Sequence, residues 1–247
     1  MPVRIGLLGD IHGNVAALEA ALKEIKRARP DVIAVTGDLV LNGPRPAEAI
    51  ERVRAMEADG ALIVQGNTDI AVADFDYAAA FPWLDEVPSA QRAAVEWAHD
   101  QLSDDQLDWL RRLPAERRVT DGDGMALICH ASPGSQTEGL AAELDPSATL
   151  RLVTRTDAGS IGCGHTHVAE VREVGRKLIC NAGSCGYAFD GDAGASWALL
   201  TLDGEEASAE LRRTAYDAQA VSEELSQRGL PGDVYRAATV RTGRYVR

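Results

Sequence analysis

Three short apolar runs open the chain at nearly even intervals, Val3 to Leu8, Val32 to Val35 and Ala61 to Val64. Helical patterns fill the gaps. Ala17, Leu18, Ala21, Leu22 and Ile25 mark one face of a helix over Ala16 to Ile25, closed by Pro30, and a second helix is predicted from about Pro46 to Ala58. Strand and helix alternating in this way predict a βαβαβ start with a parallel sheet. Sheets of that kind bind ligands beyond the carboxyl ends of their strands.

The residues just after each apolar run are therefore informative. Asp10 and His12 come after the first, Asp38 after the second and Asn67 after the third; His130, then His165 and His167, stand after later runs. The steps from Asp10 to Asp38 and from Asp38 to Asn67 each match the roughly 30 residues of one βαβ unit, so these side chains should meet at one sheet edge. Of the five histidines, only His99 falls elsewhere. A single histidine after an apolar run is ordinarily a satisfied core residue, but a whole series of them with Asp and Asn is not. Gly13, Gly37, Gly66, Gly164 and Gly183 accompany the series, as tight turns around a bound ion or phosphate require.

Farther along, Val95, Leu102, Leu107 and Leu110 stand among charges between Ser89 and Leu113, with Ser103 and Asp104 placed as caps; two surface helices are predicted. From Arg117 the texture becomes short strands and turns: Asp121-Gly122-Asp123-Gly124, Val171 to Gly175, Leu178 to Cys180, then Trp197 to Leu202 before Asp203-Gly204. All of these are read as a second, more antiparallel sheet. The tail from Ala215 carries one amphipathic helix, Ala218 to Gln227, then a Pro231-Gly232 break and a polar, Arg-rich end. No repeat or linker divides the chain, so residues 1–247 are expected to form a single domain with a C-terminal helix and tail from about residue 215.

Hydrophobic residues make up 45% and charged residues 26%, the balance of a globular protein. A net charge of −13 disfavours a long nucleic acid, whose binding needs clustered Lys and Arg. The apolar amino terminus is too short for a signal-peptide core or a membrane span, and Cys129, Cys163, Cys180 and Cys185 show no C-x-x-C spacing. A reduced, cytoplasmic protein with no membrane partner is expected. Cys129 and Cys163 flank site histidines on strands and are expected to pack in the core on the opposite face.

Taken in order, Asp10-Ile11-His12-Gly13-Asn14, Gly37-Asp38, Gly66-Asn67, His130 and Gly164-His165-Thr166-His167 resemble the five motifs of the calcineurin-like metallophosphoesterases across nearly the whole chain. Asn42-Gly43-Pro44, His130-Ala131-Ser132-Pro133, Asn181-Ala182-Gly183-Ser184 and Gly191-Asp192 extend the likeness toward small bacterial and archaeal phosphodiesterases and relatives of dinucleotide-tetraphosphate hydrolases. The resemblance implies an α/β fold, a four-layer α-β-β-α sandwich of two mixed sheets with flanking helices. It also implies two divalent metal ions. Asp10, His12 and His167 would hold one, Asn67, His130 and His165 the other, and Asp38 would bridge them; Asp38, Asn67 and His130 are also the expected catalytic residues. Imidazole with carboxylate suits manganese, iron, nickel, cobalt or zinc better than calcium.

The implied chemistry is hydrolysis of a phosphate ester by a hydroxide shared between the two ions. Two metals, Asp10, Asp38 and the hydroxide sum to about +1, which attracts a phosphate anion into an acidic protein. The family pattern has a histidine directly after the metal-binding Asn, as acid for the leaving group, but this chain has Thr68. A general acid contributes roughly 10²–10⁴ in rate, and a threonine hydroxyl is no substitute at neutral pH. Phosphodiesters or anhydrides with good leaving groups are therefore the expected substrates, with a dinucleotide polyphosphate hydrolase or nucleotide phosphatase as the alternative. Asn14, Arg45 and Thr68 are expected to touch this small phosphate-ester or nucleotide substrate, with Asn42 nearby and Tyr187 and Phe189 either stacking on a base or packing. A non-catalytic protein-binding scaffold would not need a complete metal shell, and a mononuclear hydrolase would need only three protein ligands.

Overall fold

The computed structural model describes residues 1–247. In chain order its elements are β1 (Val3–Leu8), α1 (Val15–Ala28), β2 (Val32–Val35), α2 (Pro46–Ala58), β3 (Leu62–Ile63), α3 (Asn67–Asp74), α4 (Tyr77–Ala80), α5 (Ser89–Asp100), α6 (Asp104–Arg112), β4 (Glu116–Asp121) and β5 (Gly124–Cys129). After these come α7 (Pro146–Val153), β6 (Ser160–Cys163), β7 (Ala169–Val174), β8 (Lys177–Ala182), β9 (Ala195–Asp203), β10 (Glu206–Thr214), α8 (Ala218–Arg228) and α9 (Asp233–Thr242).

Two five-stranded sheets result, ordered β10-β9-β1-β2-β3 and β4-β5-β6-β8-β7. In the first, β1, β2 and β3 run parallel and β9 joins β1 antiparallel; in the second, β5, β6 and β8 run parallel between antiparallel β4 and β7. Period-two alternation in β1 explains the layering. Ile5 and Leu7 point into the core between the sheets, against Ile128, Cys180 and Ala182, while Leu8 points to the other face and packs with Leu18 and Ile25 of α1. On the far side of the second sheet, Leu152 and Val153 of α7 cover Leu127, Ile161 and Ile179. The order of layers is helix, sheet, sheet, helix, as the family resemblance implied.

Three expectations need correction. Trp197 to Leu202 belongs to β9 of the first sheet rather than the second, because the open edge of β1 is filled by a long hairpin whose partner no local pattern reveals. The second sheet is no more antiparallel than the first, since each has two parallel and two antiparallel pairings; its parallel centre arises from crossovers between β5, β6 and β8. The Arg-rich end is no simple tail: Asp233–Thr242 forms α9, which packs with α8 around Leu225, Ala237 and Val240.

Leu7 is fully buried between the sheets. Leu7→Ala should cost about 2–5 kcal/mol, from lost burial and a residual cavity. Denaturant unfolding checks this; a loss below about 1 kcal/mol would mean that the sheets close up freely around the gap.

Candidate metal centre

All of the strands that lead into the site are parallel ones. Asp10 follows β1, Asp38 follows β2, Asn67 begins α3 after β3, His130 follows β5, and His165 and His167 follow β6. The chain turns sharply at these points. Asp10, His12, Asp38, His165 and His167 all have positive φ, between 51° and 69°. Non-glycine residues held there cost roughly 1–3 kcal/mol each, which surrounding structure must offset. Backbone bonds between neighbouring loops do so: the amides of Asp10, His12 and Gly13 donate to the carbonyls of Gly37, Asp38 and Leu39 at 2.8–2.9 Å. At Gly164 even one more carbon is excluded, since a Cβ would stand 2.2 Å from Asp10 Oδ2.

Histidine tautomers are fixed by backbone carbonyls. Nδ1 of His12 lies 2.8 Å from Leu41 O, Nδ1 of His130 lies 2.7 Å from Thr36 O, and Nδ1 of His167 contacts Tyr187 O. A carbonyl only accepts, so each Nδ1 carries a proton and, in the neutral ring, Nε2 is the atom that offers a lone pair. These lone pairs face one another. His12 Nε2 and His167 Nε2 are 3.2 Å apart, and Asp10 Oδ1 is 3.3 Å from the latter. In the neighbouring group, the Asn67 amide donates to Ala80 O, which turns its Oδ1 inward, 2.9 Å from His130 Nε2 and 3.1 Å from His165 Nδ1. Asp38 stands between the groups, with Oδ2 3.5 Å from His12 Nε2 and Oδ1 3.5 Å from His130 Nε2.

Such contacts between acceptors repel unless a positive charge sits among them. Ligand atoms about 2.1 Å from an ion lie about 3.0–3.4 Å from each other in octahedral to tetrahedral arrangements, and the 2.9–3.5 Å separations here match. Ligand atoms of Asp10, His12, Asp38 and His167 all lie within 4.8 Å of one another, and all four residues are buried. The donor set thus fits divalent transition metals. Burial and the facing His167 ring hold His12 down at about 4, and burial with His130 does the same for His165, so both rings offer lone pairs at neutral pH. Burial acts to raise Asp10, but the imidazoles of His167, His130 and His12 outweigh it and hold the carboxyl at about 2. His167, despite its burial, is raised by the Asp10 carboxylate beside it.

Of Asn14, Arg45 and Thr68, only Thr68 lines the cavity over these groups, together with Tyr187 and Phe189; the Thr68 amide donates to Asp38 Oδ1 and its hydroxyl is buried with no partner. Asn42 lines the cavity as well. Asn14 and Arg45 do not. Asn14 caps α1 through Ala17 N and donates to Gly186 O and Tyr216 OH, while Arg45 turns away to Glu224 of α8 at 2.9 Å. Tyr187 and Phe189 pack against the site: Phe189 stacks on His167 at 4.2 Å, and Tyr187 supplies the carbonyl that orients it. His99 ties α5 to Val72 O and packs on Phe75, outside the cavity. The motif from Asn181 holds the histidine turn, since Asn181 donates to Gly164 O and Thr166 Oγ1, and Ser184 donates to Asp10 O.

Sequence reasoning missed Asp69. It is fully buried and accepts from the amides of Asp38, Leu39 and Gly66 at 2.8–3.0 Å, which ties the second and third loops together. Burial and the nearby Asp38 carboxylate push it up to about 7 against the pull of those amides. Its position as the acidic third residue of α3 was the available signal, because that is where a capping box places an acid.

The sequence pattern of the "Calcineurin-like phosphoesterase superfamily domain" matches residues 3–205. The chain belongs to this superfamily. A metallophosphoesterase from Sphaerobacter thermophilus, known as a crystal structure, superposes with a TM-score of 0.76 and 28% identity over 98% of this chain and 100% of that one. An uncharacterized protein of Methanocaldococcus jannaschii is 26% identical over 92% of this chain and 93% of its own. A symmetrical bis(5'-nucleosyl)-tetraphosphatase of Cronobacter sakazakii is 31% identical over 51% of this chain, a match that spans 41% of that enzyme's length. Superfamily membership and the Asp/His cluster support a phosphoester hydrolase with a metal centre. The helices α8 and α9 lie beyond the matched domain.

Asp69→Ala should leave three amides without an acceptor and destabilise the fold by about 3 kcal/mol. Amide exchange should quicken at Asp38, Leu39 and Gly66 above any global change; unaltered exchange there would remove Asp69 from its role.

Proposed function

We propose that the chain is a dinuclear metal-dependent phosphoesterase, with Asp10, His12 and His167 on one ion, Asn67, His130 and His165 on the other, and one Asp38 oxygen toward each. The observation that carries it is the pair of facing lone-pair clusters on either side of Asp38. Two divalent ions, of manganese, iron, nickel, cobalt or zinc, would supply Lewis acidity toward phosphoryl oxygens and lower the pKa of water. The side chains supply position. Nδ1–H bonds to carbonyls hold His12, His130 and His167 against rotation, and Asp69 holds the Asp38 loop against the Asn67 loop.

Thr68 decides which esters turn over. Its hydroxyl has no partner within the protein and lies next to Asn67, so it can donate a hydrogen bond to a substrate oxygen but cannot release a proton at neutral pH. Leaving groups already stable as anions are favoured. Substrates that carry them are aryl diesters and phosphoanhydrides, nucleotide polyphosphates included, rather than alkyl monoesters. The cavity of about 590 Å³ is rimmed by exposed Trp83, Tyr235 and Tyr245, flat surfaces for an aromatic group, and Arg247 adds a cation. The same rim favours a dinucleoside polyphosphate as the second reading, in line with the activity named for the Cronobacter relative.

Metal-stripped protein should hydrolyse bis-aryl phosphate faster than an alkyl phosphate monoester once manganese is restored, and Asp38→Asn should abolish both; inactivity with every metal and ester would reject the enzyme. Diadenosine tetraphosphate turnover with product analysis separates the two substrate classes. Thr68→His should raise turnover of alkyl monoesters by about 10²-fold or more, with little gain on aryl diesters. An equal change for both would show that position 68 does not govern the leaving group.

A further inference from the structure

Outside the matched domain, α8 and α9 carry a buried ionic cluster. Arg228 Nε donates to Asp233 Oδ2 at 3.0 Å and Arg236 Nη1 donates to Asp233 Oδ1 at 3.2 Å, and the three side chains are only 4–7% exposed. A buried ionic group of this kind is no general source of stability, since apolar replacements often serve as well. Its outward bonds show what it does instead. Arg228 Nη1 donates to Gly43 O at 2.9 Å, and Arg236 Nε donates to Asn42 Oδ1 at 3.2 Å. Both grips fall on the segment just after Leu41, and the Leu41 carbonyl is the acceptor that orients His12.

This segment has no slack on its inner side. A Cβ at Gly43 would stand 1.7 Å from His12 O, and Asn42 is held at φ 76°. The Leu41 carbonyl is thus fixed between the His12 backbone inside and two guanidinium groups outside. No comparable link joins α8 or α9 to the other half of the centre: the acceptors for His130 and Asn67 are Thr36 O and Ala80 O.

We propose that Arg228, Asp233 and Arg236 form a clamp that sets His12 through Asn42 and Gly43, so that the C-terminal helices govern metal affinity at the Asp10, His12 and His167 half of the centre alone. This rests on the dinuclear reading given above. Arg236 and Asn42 are positioning residues, acting through the Leu41 carbonyl. Supporting groups of this kind alter metal affinity by about 10–100-fold when removed.

The test is calorimetric titration of the metal-stripped full chain with manganese, with thermal unfolding followed in parallel. Wild type should take up two ions. Asn42→Gly keeps the positive φ but deletes the acceptor, and should weaken one ion about 10–100-fold and leave the other unchanged. Asn42→Asp keeps the acceptor and should bind both as wild type does. In a His12→Ala background, the remaining ion should be indifferent to Asn42→Gly. Arg236→Gln should repeat the selective loss; if it unfolds the helices, the Asn42 variants decide. Two ions bound at wild-type affinity in Asn42→Gly, or both weakened alike, would overturn the clamp. A wild-type chain that binds no ion would instead overturn the dinuclear reading, and the clamp with it.

Discussion

Each of His12, His130 and His167 donates its Nδ1–H to a main-chain carbonyl, and the rest of the site depends on that choice of tautomer. With the protons committed outward, the Nε2 lone pairs have nowhere to point but toward one another and toward the carboxylates. The arrangement is electrostatically unfavourable on its own terms. It persists because the carbonyls belong to strand ends and loops that are themselves fixed by backbone bonds, so the rings cannot rotate to relieve it. A cation among these groups would be attracted by all of them at once.

The same logic explains the left-handed backbone at five site residues. An extended chain leaving a strand would carry the next side chain away from the sheet edge; a sharp left-handed turn brings it back over the edge. Asp, Asn and His tolerate this conformation better than most residues, which suits the composition of the site. Where the crowding leaves no room for any Cβ, as at Gly43 and Gly164, glycine is the remaining choice.

Much of this was legible in the sequence, for a definite reason. Parallel strands must end on the same side as their predecessors, so Asp10, Asp38 and Asn67 had to meet, and motif order supplied the histidines. Side chains whose partners lie far off in sequence were not legible. Arg45 comes after the Gly43-Pro44 turn and looked available to a phosphate, yet Glu224, 179 positions later, captures it. Asn14, read as a substrate contact, is an N-cap whose side-chain NH2 is taken up by the distant Gly186 O and Tyr216 OH. Asp69 was overlooked because its three partners are amides, which carry no residue identity. Strand β9 was assigned to the wrong sheet because strand patterns state which residues are apolar and not whose edge they fill.

Asp38 and Asn67 come from the first sheet, whereas His130, His165 and His167 come from the second. The centre therefore spans the seam between the two halves of the sandwich and does not exist until they dock. Its closing contacts join residues up to 155 positions apart. A cation held there acts as a rivet across the seam, and its binding free energy adds to the cohesion of the sheets in proportion to the logarithm of its free concentration.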